Sequence, residues 1–441
     1  MAKLMIRRKL SLSACISAAL FAQIANAGLF DEGTTTLRYA NYPWIGDKTS
    51  HAEGIPSYKE GEWVHALEVK YQSGYFNDIV GFDYGLYGVQ TLSTKDDASR
   101  TQNIDGVSDD GHAGTNLAYL KSKFSLGYWN LKAGYGKKRR AFETYQDFNF
   151  RIVEATTVGG DVSLERDDLS LYATMFNKSS RRNQDDFGNK LTNFSGETID
   201  HVSVLGAKYQ PNANLTLKAE FLEAKDYIKR DFYGINYKHA LNETQGLEFD
   251  GRYGRMQDAG DLFERVSLGQ YANDPNGLDA NFNELALTFR DKSQGYYATL
   301  WRTDVNGGDF NRLLFKDDHG SWASRTQLWQ WSGLEGETSL GVKAGVNLSK
   351  HGIPGLSLHA TAVRSNEADG YDDFSRQEFR TVTMYNFPQS LLKGLSLVWL
   401  HIDHRAEGTP DGIRRTGTGA GPTALAQGEA DRIYINYVKK F

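Results

Sequence analysis

The chain has 441 residues, 12% of them aromatic, with 45 Gly and only 8 Pro, a composition too apolar and too poor in Pro for a disordered protein. Fifty Lys and Arg against 55 Asp and Glu give a formal charge of −5, which argues against nucleic acid as a partner, since binding phosphates takes an excess of cations. Length alone predicts two or three domains, but the patterning along the chain predicts one.

The chain begins MAKLMIRRKLSLSACISAALFAQIANAGLF, with a basic segment (Lys3, Arg7, Arg8, Lys9), an apolar run from Leu10 to Ile24 and the small-residue site Ala25-Asn26-Ala27. These are the three parts of a cleavable secretory signal, and the run is shorter than the roughly 20 residues of a membrane anchor. Residues 1–27 are therefore read as a signal peptide and 28–441 as one mature domain. Leu12-Ser13-Ala14-Cys15 also fits a lipoprotein-type site, but Cys15 lies early in the apolar run, with more apolar sequence after it. Cleavage at Ala27 removes four basic residues, no acidic one and the one cysteine, taking the charge from −5 to −9. The mature chain then has no disulfide to rely on.

No later stretch approaches 18 uninterrupted apolar residues, so no transmembrane helix is predicted. A run of roughly ten residues with period-two alternation recurs instead, punctuated by Gly, Asn, Asp or Ser. In chain order, YWNLKAGYG sets Trp129, Leu131, Ala133 and Tyr135 against Tyr128, Asn130 and Lys132. NLTLKAEFLEA sets Leu215, Leu217, Ala219 and Phe221 against Thr216, Lys218 and Glu220. NELALTFR sets Leu285, Leu287 and Phe289 against Glu284, Ala286, Thr288 and Arg290. TSLGVKAGVNL sets Leu340, Val342, Ala344, Val346 and Leu348 against Ser339, Gly341, Lys343, Gly345 and Asn347.

Short connections at 71–77, 125–127, 165–168, 210–214, 241–244, 291–294, 350–355 and 387–394 alternate with long polar ones. The long ones fall at 43–61, 91–114, 137–156, 178–199, 257–281, 304–337, 366–375 and 405–429, with a tight exception near 226–230. This spacing predicts about eighteen strands in an all-β, antiparallel transmembrane β-barrel, with short periplasmic turns and long extracellular loops. Aromatics end the apolar face of many strands (Tyr71, Trp129, Tyr135, Phe221, Tyr237, Phe289, Trp399, Tyr437), as interfacial girdles require. The opposite face carries Lys, Arg, Glu, Asn and Thr, so the lumen is predicted to hold water. A soluble propeller or sandwich has no reason for every second connection to be long, and no blade-length repeat is found.

The chain closes with DRIYINYVKKF, placing Ile433, Ile435 and Tyr437 opposite Arg432, Tyr434, Asn436 and Lys440, and stops on Phe441. An open sheet edge in hydrocarbon leaves unpaired backbone groups, so this strand is expected to pair with the first, around LRYANY at 37–42. The terminal aromatic resembles the C-terminal recognition signal of bacterial outer-membrane barrels. That implies the barrel-assembly machinery as a partner through Phe441, although Lys439 departs from the usual apolar pattern.

Eighteen strands and this ending resemble the OprD family, the substrate-specific monomeric porins of Gram-negative bacteria. The resemblance is carried by SGYFNDIVGFDYGLYGVQTL near 73, YGINYKHALNETQGLEFDGRYGRMQDAG near 233, HGIPGLSLHATAVR near 351, LLKGLSLVWLHIDHR near 391 and the terminal segment. KKRRAFETYQDFNFRIVEATTVGG, after the fifth strand, lacks the Pro-rich stretch often found there. The resemblance implies a monomer in the outer membrane, surrounded by lipid and lipopolysaccharide, without cofactor or catalysis. It further implies a lumen pinched by inward-folded third and seventh loops and lined by a basic ladder that guides a substrate carboxylate.

On strand parity, Arg38, Lys121, Lys123, Lys132, Arg252, Arg290, Lys343 and Arg432 point inward; Arg380 joins them on a strand, 377–387, that alternates poorly. Arg139 and Arg140 open the third loop together with Lys137 and Lys138. Arg suits the task because its planar fork holds a carboxylate with two parallel bonds. The plainer reading of any one of these is a solvating wall residue, or for 137–140 a basic patch on lipid headgroups. Glu143 and Asp147 in the third loop, and Asp304, Asp309, Asp317 and Asp318 in the seventh, are candidates for an opposing acidic surface.

DDASRTQNIDGVSDDG (96–111) lacks EF-hand spacing, so no metal is predicted. GTGAG (417–421) lacks the rest of a phosphate loop, and neither H-E-x-x-H nor G-x-S-x-G occurs. About 414 mature residues leave no room for a plugged transporter. The expected function is passive uptake of small water-soluble, carboxylate-bearing nutrients such as amino acids or aromatic acids. Two alternatives stand beside it: a saccharide porin using Tyr87 and Tyr128 as a stacking track, and a barrel-borne hydrolase assembled from His401, Asp403 and His404.

Overall fold

The computed structural model describes residues 32–50, 58–95, 103–104, 111–264, 277–310, 314, 325, 332–389, 391–411 and 425–441. The signal segment 1–27, most of 96–111, the GTGAG stretch, Asp317 and Asp318 lie outside the described residues.

Eighteen antiparallel strands make one closed wall. They are β1 Thr34–Ser50, β2 Tyr58–Gln72, β3 Val80–Thr94, β4 Ala113–Leu126, β5 Trp129–Lys138, β6 Thr156–Glu165, β7 Leu169–Ser180, β8 Val202–Asn212 and β9 Leu215–Ala224. The second half comprises β10 Ile228–Ala240, β11 Gln245–Asp258, β12 Asp279–Asp291, β13 Tyr296–Asn306, β14 Thr338–Asn347, β15 Leu356–Asn366, β16 Tyr371–Asn386, β17 Leu395–Pro410 and β18 Ala426–Lys440. A two-residue strand, Asn189–Lys190, touches only the end of β7 and is not part of the wall. The described helices are single turns, Asp261–Glu264 and the 3₁₀ turn Leu348–His351.

Closure occurs where the backbone argument requires it. β1 pairs with β18 in register Thr36↔Lys440, Tyr39↔Tyr437 and Asn41↔Ile435. Thr35 and Phe441 exchange both backbone hydrogen bonds (3.2 and 2.9 Å), so the ladder runs to the last side chain. At the short-turn end, tight hairpins return the chain. Between Leu126 and Trp129 only two residues intervene, and Gly127 has φ +64°, the hand that matches the twist of paired strands.

The wall is inverted relative to a soluble protein. Leu340 (55%) and Val342 (47%) are exposed on the outer face, while Lys343, next after Val342, turns inward and is half-buried. Tyr135, Phe221, Tyr237, Phe289 and Trp399 also project outward. Only every second residue meets lipid, which explains how so polar a sequence supports a membrane wall.

Strands extend further at the long-loop end than the sequence predicts. The connection expected at 43–61 shrinks to 51–57, that at 366–375 becomes the turn 367–370, and that at 405–429 narrows to 411–425. β13 likewise continues through Asp304 to Asn306. Beyond the lipid band both faces of a strand are polar, so alternation stops reporting on it although backbone pairing continues.

Candidate functional site

The lumen is narrowed by loops that fold into it, and specific side chains hold them there. The third loop (139–155) leaves β5 at Arg140, whose guanidinium is fully buried. Arg140 donates to Asp161 (Nε–Oδ1 3.0 Å, Nη2–Oδ2 2.8 Å) and to the carbonyls of Thr157 (2.7 Å) and Gly159 (2.8 Å). Buried Asp147 accepts from the Arg140 backbone N–H (2.7 Å), the Tyr145 hydroxyl (2.7 Å) and the Thr157 hydroxyl (3.1 Å). From β9, Glu220 accepts from Thr144 N–H (2.6 Å), Thr144 Oγ1 (2.5 Å), Tyr172 OH (2.5 Å) and Glu143 N–H (3.2 Å).

At its far end the same loop reaches the opposite wall. The Ile152 carbonyl accepts from Arg38 Nη1 (2.9 Å), its N–H donates to Asn103 (2.8 Å), and Glu154 accepts from Lys70 (2.5 Å). Apolar burial reinforces both anchorages. Tyr145 packs in a cluster with Phe176, Val204 and Phe282, whereas Ile152 and Val153 pack with Ala40, Trp44 and Val64. The third loop therefore spans the lumen from the β7–β13 side to the β1–β3 side. Described residues of the seventh loop fold in as well: Phe310 and Leu314 join the first cluster, and Arg325 reaches the β11–β12 wall.

The predicted basic residues fall into groups that differ in how fully their charge is matched. Arg252, Arg290, Lys343, Arg380, Arg432 and Arg38 share the inner face from β11 round to β1. Arg252 contacts Asp250 (2.9 Å) and Glu284 (3.7 Å), and Arg325 contacts the same two carboxylates (2.9 and 3.6 Å), a foursome without net charge. Arg38 pairs with Glu68 (3.2 Å) and also donates to Tyr42 and Asn436. Arg290 reaches Glu248 at 3.4 Å and lies over the Tyr297 ring. Arg432 stacks on Trp44, 4.5 Å from the ring centre.

Lys343 and Arg380 differ from all of these. Among the described residues neither has a hydrogen bond or an ion pair with an anion, and the register Lys343↔Thr361↔Arg380 puts them two strands apart in one row. Lys343 lies 5.8 Å from the Tyr297 ring centre, and His359 and Arg290 are close by. Glu378, two residues from Arg380 on the same strand, lies near enough to interact with its charge but contacts His404 instead, so the patch has no carboxylate in ion-pair contact.

On the opposite wall the three predicted lysines are already paired: Lys121 with Asp83 (2.6 Å), Lys123 with Asp78 (2.5 Å) and Lys132 with Glu165 (2.6 Å), the last two beside short turns. Arg139 donates to the Asp147 carbonyl (3.1 Å).

Several sequence expectations need correction. Arg140 and Asp147 do not face water; each is buried and consumed in anchoring the third loop. Asp304 is not a constriction residue, because it sits on the outer face of β13 and chelates Arg302 (2.7–3.0 Å). Asp309 is buried and accepts from the Glu335 N–H (2.8 Å). Glu143 does face the lumen, but Lys218 is its ion-pair partner. Of the stacking track, Tyr128 is 91% exposed in the Gly127–Tyr128 turn, and Tyr87 is buried with its hydroxyl on the Gln184 carbonyl (2.8 Å). His401 and His404 fall on opposite faces of β17, with Asp431 (3.1 Å) and Glu378 (3.3 Å) respectively, so they assemble no catalytic group. Arg325 and the Lys70–Glu154 bridge escaped the sequence reading, since a loop arginine has no parity and the bridge joins positions 84 residues apart.

A family model described as outer membrane porin, OprD family, matches residues 27–415. Porin D of Pseudomonas aeruginosa is 22% identical over 356 residues, covering 78% of this chain and 76% of that one. The porin-like protein GalP of Pseudomonas putida is 24% identical over 404 residues, covering 89% and 92%. Among solved structures, OpdK of Pseudomonas aeruginosa with vanillate superposes with a TM-score of 0.74 at 16% identity, covering 94% of this chain and all of that one.

Proposed function

We propose, from the premise that this chain belongs to the OprD family of outer-membrane porins, that its channel admits small carboxylates by way of the Lys343–Arg380 patch. As a family member it is a substrate-specific, non-enzymatic pore of the Gram-negative outer membrane. The observation that carries the carboxylate reading is a pair of cations with no ion-pair partner among the described residues, in an arc where Arg38, Arg252 and Arg290 each contact a carboxylate. A carboxylate about 4 Å from one of them gains roughly 1 kcal/mol in bulk-like water and about 4 kcal/mol at an effective dielectric near 20. Gains in that range concentrate a solute at the patch and still let it leave, as conduction requires. Tyr297 and His359 beside Lys343 give an aromatic acid a ring to stack on, and OpdK was solved with vanillate, an aromatic carboxylate. Residues 1–27 serve in this reading as the export signal.

Single-channel recording in planar bilayers tests the proposal. Aromatic and aliphatic carboxylates are expected to block current at lower concentration than neutral saccharides of similar size. Equal block by both, or none by any carboxylate, refutes it.

A further inference from the structure

The outer wall carries a feature that transport does not use. Across β13–β17 one outward-facing row runs Arg302, Leu340, Arg364, Gln377, Arg405 in continuous register. Directly below it runs Leu300, Val342, Ala362, Phe379, Asp403. Ala362 is the small member of that lower row, and over it the exposed side chains of Leu300, Val342 and Phe379 enclose a groove of about 540 Å³. The row lies toward the long-loop end of these strands, because their other ends are joined by the short turns 292–295, 348–355 and 387–394. In an outer-membrane barrel that end meets the outer leaflet.

The three arginines are not equally committed. Arg302 is chelated by Asp304, and Arg405 makes a single 3.3 Å contact with Asp403 while its side chain stays 63% exposed. Arg364 is exposed and has no hydrogen-bond or ion-pair partner among the described residues. Elsewhere on the outer rim the comparable arginine, Arg255, donates from Nε and Nη2 to the two oxygens of Asp279 (2.7 and 2.6 Å). Arg364 and Arg405 stand two strands apart, about 10 Å by ladder spacing, over a groove floored by Leu300, Val342, Ala362 and Phe379, with Asp403 at its border.

We infer that this face is a docking site for lipid A, the phosphorylated acyl glycolipid of the outer leaflet. Its phosphates lie on Arg364 and Arg405, and an acyl chain fills the groove over Ala362. Arginine recognises phosphate through two parallel charge-assisted bonds, and the groove accounts for the apolar part of the same molecule.

The test is native mass spectrometry of the barrel extracted from outer membranes in mild detergent. Wild type should retain a lipid A-bearing molecule, and Arg364→Glu with Arg405→Glu should lower that occupancy by at least about tenfold. Ala362→Trp, which fills the groove without altering charge, should lower it too. Heat-dependent gel mobility and single-channel conductance should be unchanged in both, since neither variant touches the lumen. If the charge-reversed chain fails to assemble in cells, titration of refolded wild type and Arg364→Gln with purified lipid A makes the same comparison. Unaltered occupancy in the variants, retention of phosphatidylglycerol in place of lipid A, or no retained lipid on wild type overturns the inference.

Discussion

Replacing Arg380 with Gln removes one cation of the Lys343–Arg380 pair, neither of which has an ion-pair partner among the described residues. Arg380 and Lys343 sit in one row across β14–β16 with Thr361 between them, so a carboxylate held there interacts with both. The lumen is wetter than a protein interior but drier than bulk water, and loss of one cation at contact distance is worth about 1–2 kcal/mol. That corresponds to block by an aromatic carboxylate weakened roughly 5- to 30-fold. Lys132→Gln is the matched control: it changes net charge equally, but Lys132 is paired with Glu165 at 2.6 Å on the opposite wall beside a short turn. Beyond a Debye length of about 8–10 Å its effect is screened, and block should change less than about twofold. The assay is concentration-dependent single-channel block at fixed salt. Equal weakening by the two variants shows that bulk charge, not the patch, attracts the solute and refutes the reasoning; so does an unaffected Arg380→Gln.

Arg140→Met should be among the costliest substitutions, since it removes the two Arg140 bonds to Asp161, leaving that carboxylate to Lys138 (3.1 Å), Tyr119 and Thr174, and frees the root of the third loop. A loss of about 3–5 kcal/mol is expected for a broken buried pair, seen as a lower temperature for the folded-to-unfolded gel shift. Glu220→Ala leaves the donors of Thr144 and Tyr172 without their acceptor, each worth about 1–3 kcal/mol. The third loop should then swing from the β9 wall, raising single-channel conductance and exposing residues 142–147 to protease, whereas unchanged conductance would show that the β1–β3 anchorage suffices. Deleting 426–441 removes β18 and opens the edges of β1 and β17, and the product should show no heat-dependent mobility shift.

Alternation with period two is a property of the backbone itself, so a single sequence was enough to say which side chains face lipid and which face water. Leu340, Val342 and Lys343 illustrate this: parity assigned their faces before any partner was known. Closure was legible for a similar reason, because hydrocarbon offers no substitute partner for an unpaired strand edge. Parity and position could not say whether a charge is free. Arg140 and Arg380 look alike in the sequence, yet Asp161 and the β6 carbonyls of Thr157 and Gly159 consume the first, and no described anion makes an ion pair with the second. Asp304 looked like a loop acid because pairing continues past the point where alternation is informative. Arg325, Glu220 and Glu154 act through contacts with residues 41 to 84 positions away. The sequence by itself determined the wall and its two faces, because those follow from local geometry and the solvent on each side. Only the tertiary structure decided the constriction and which of its charges are paired, because an ion pair depends on what the fold brings within a few ångströms.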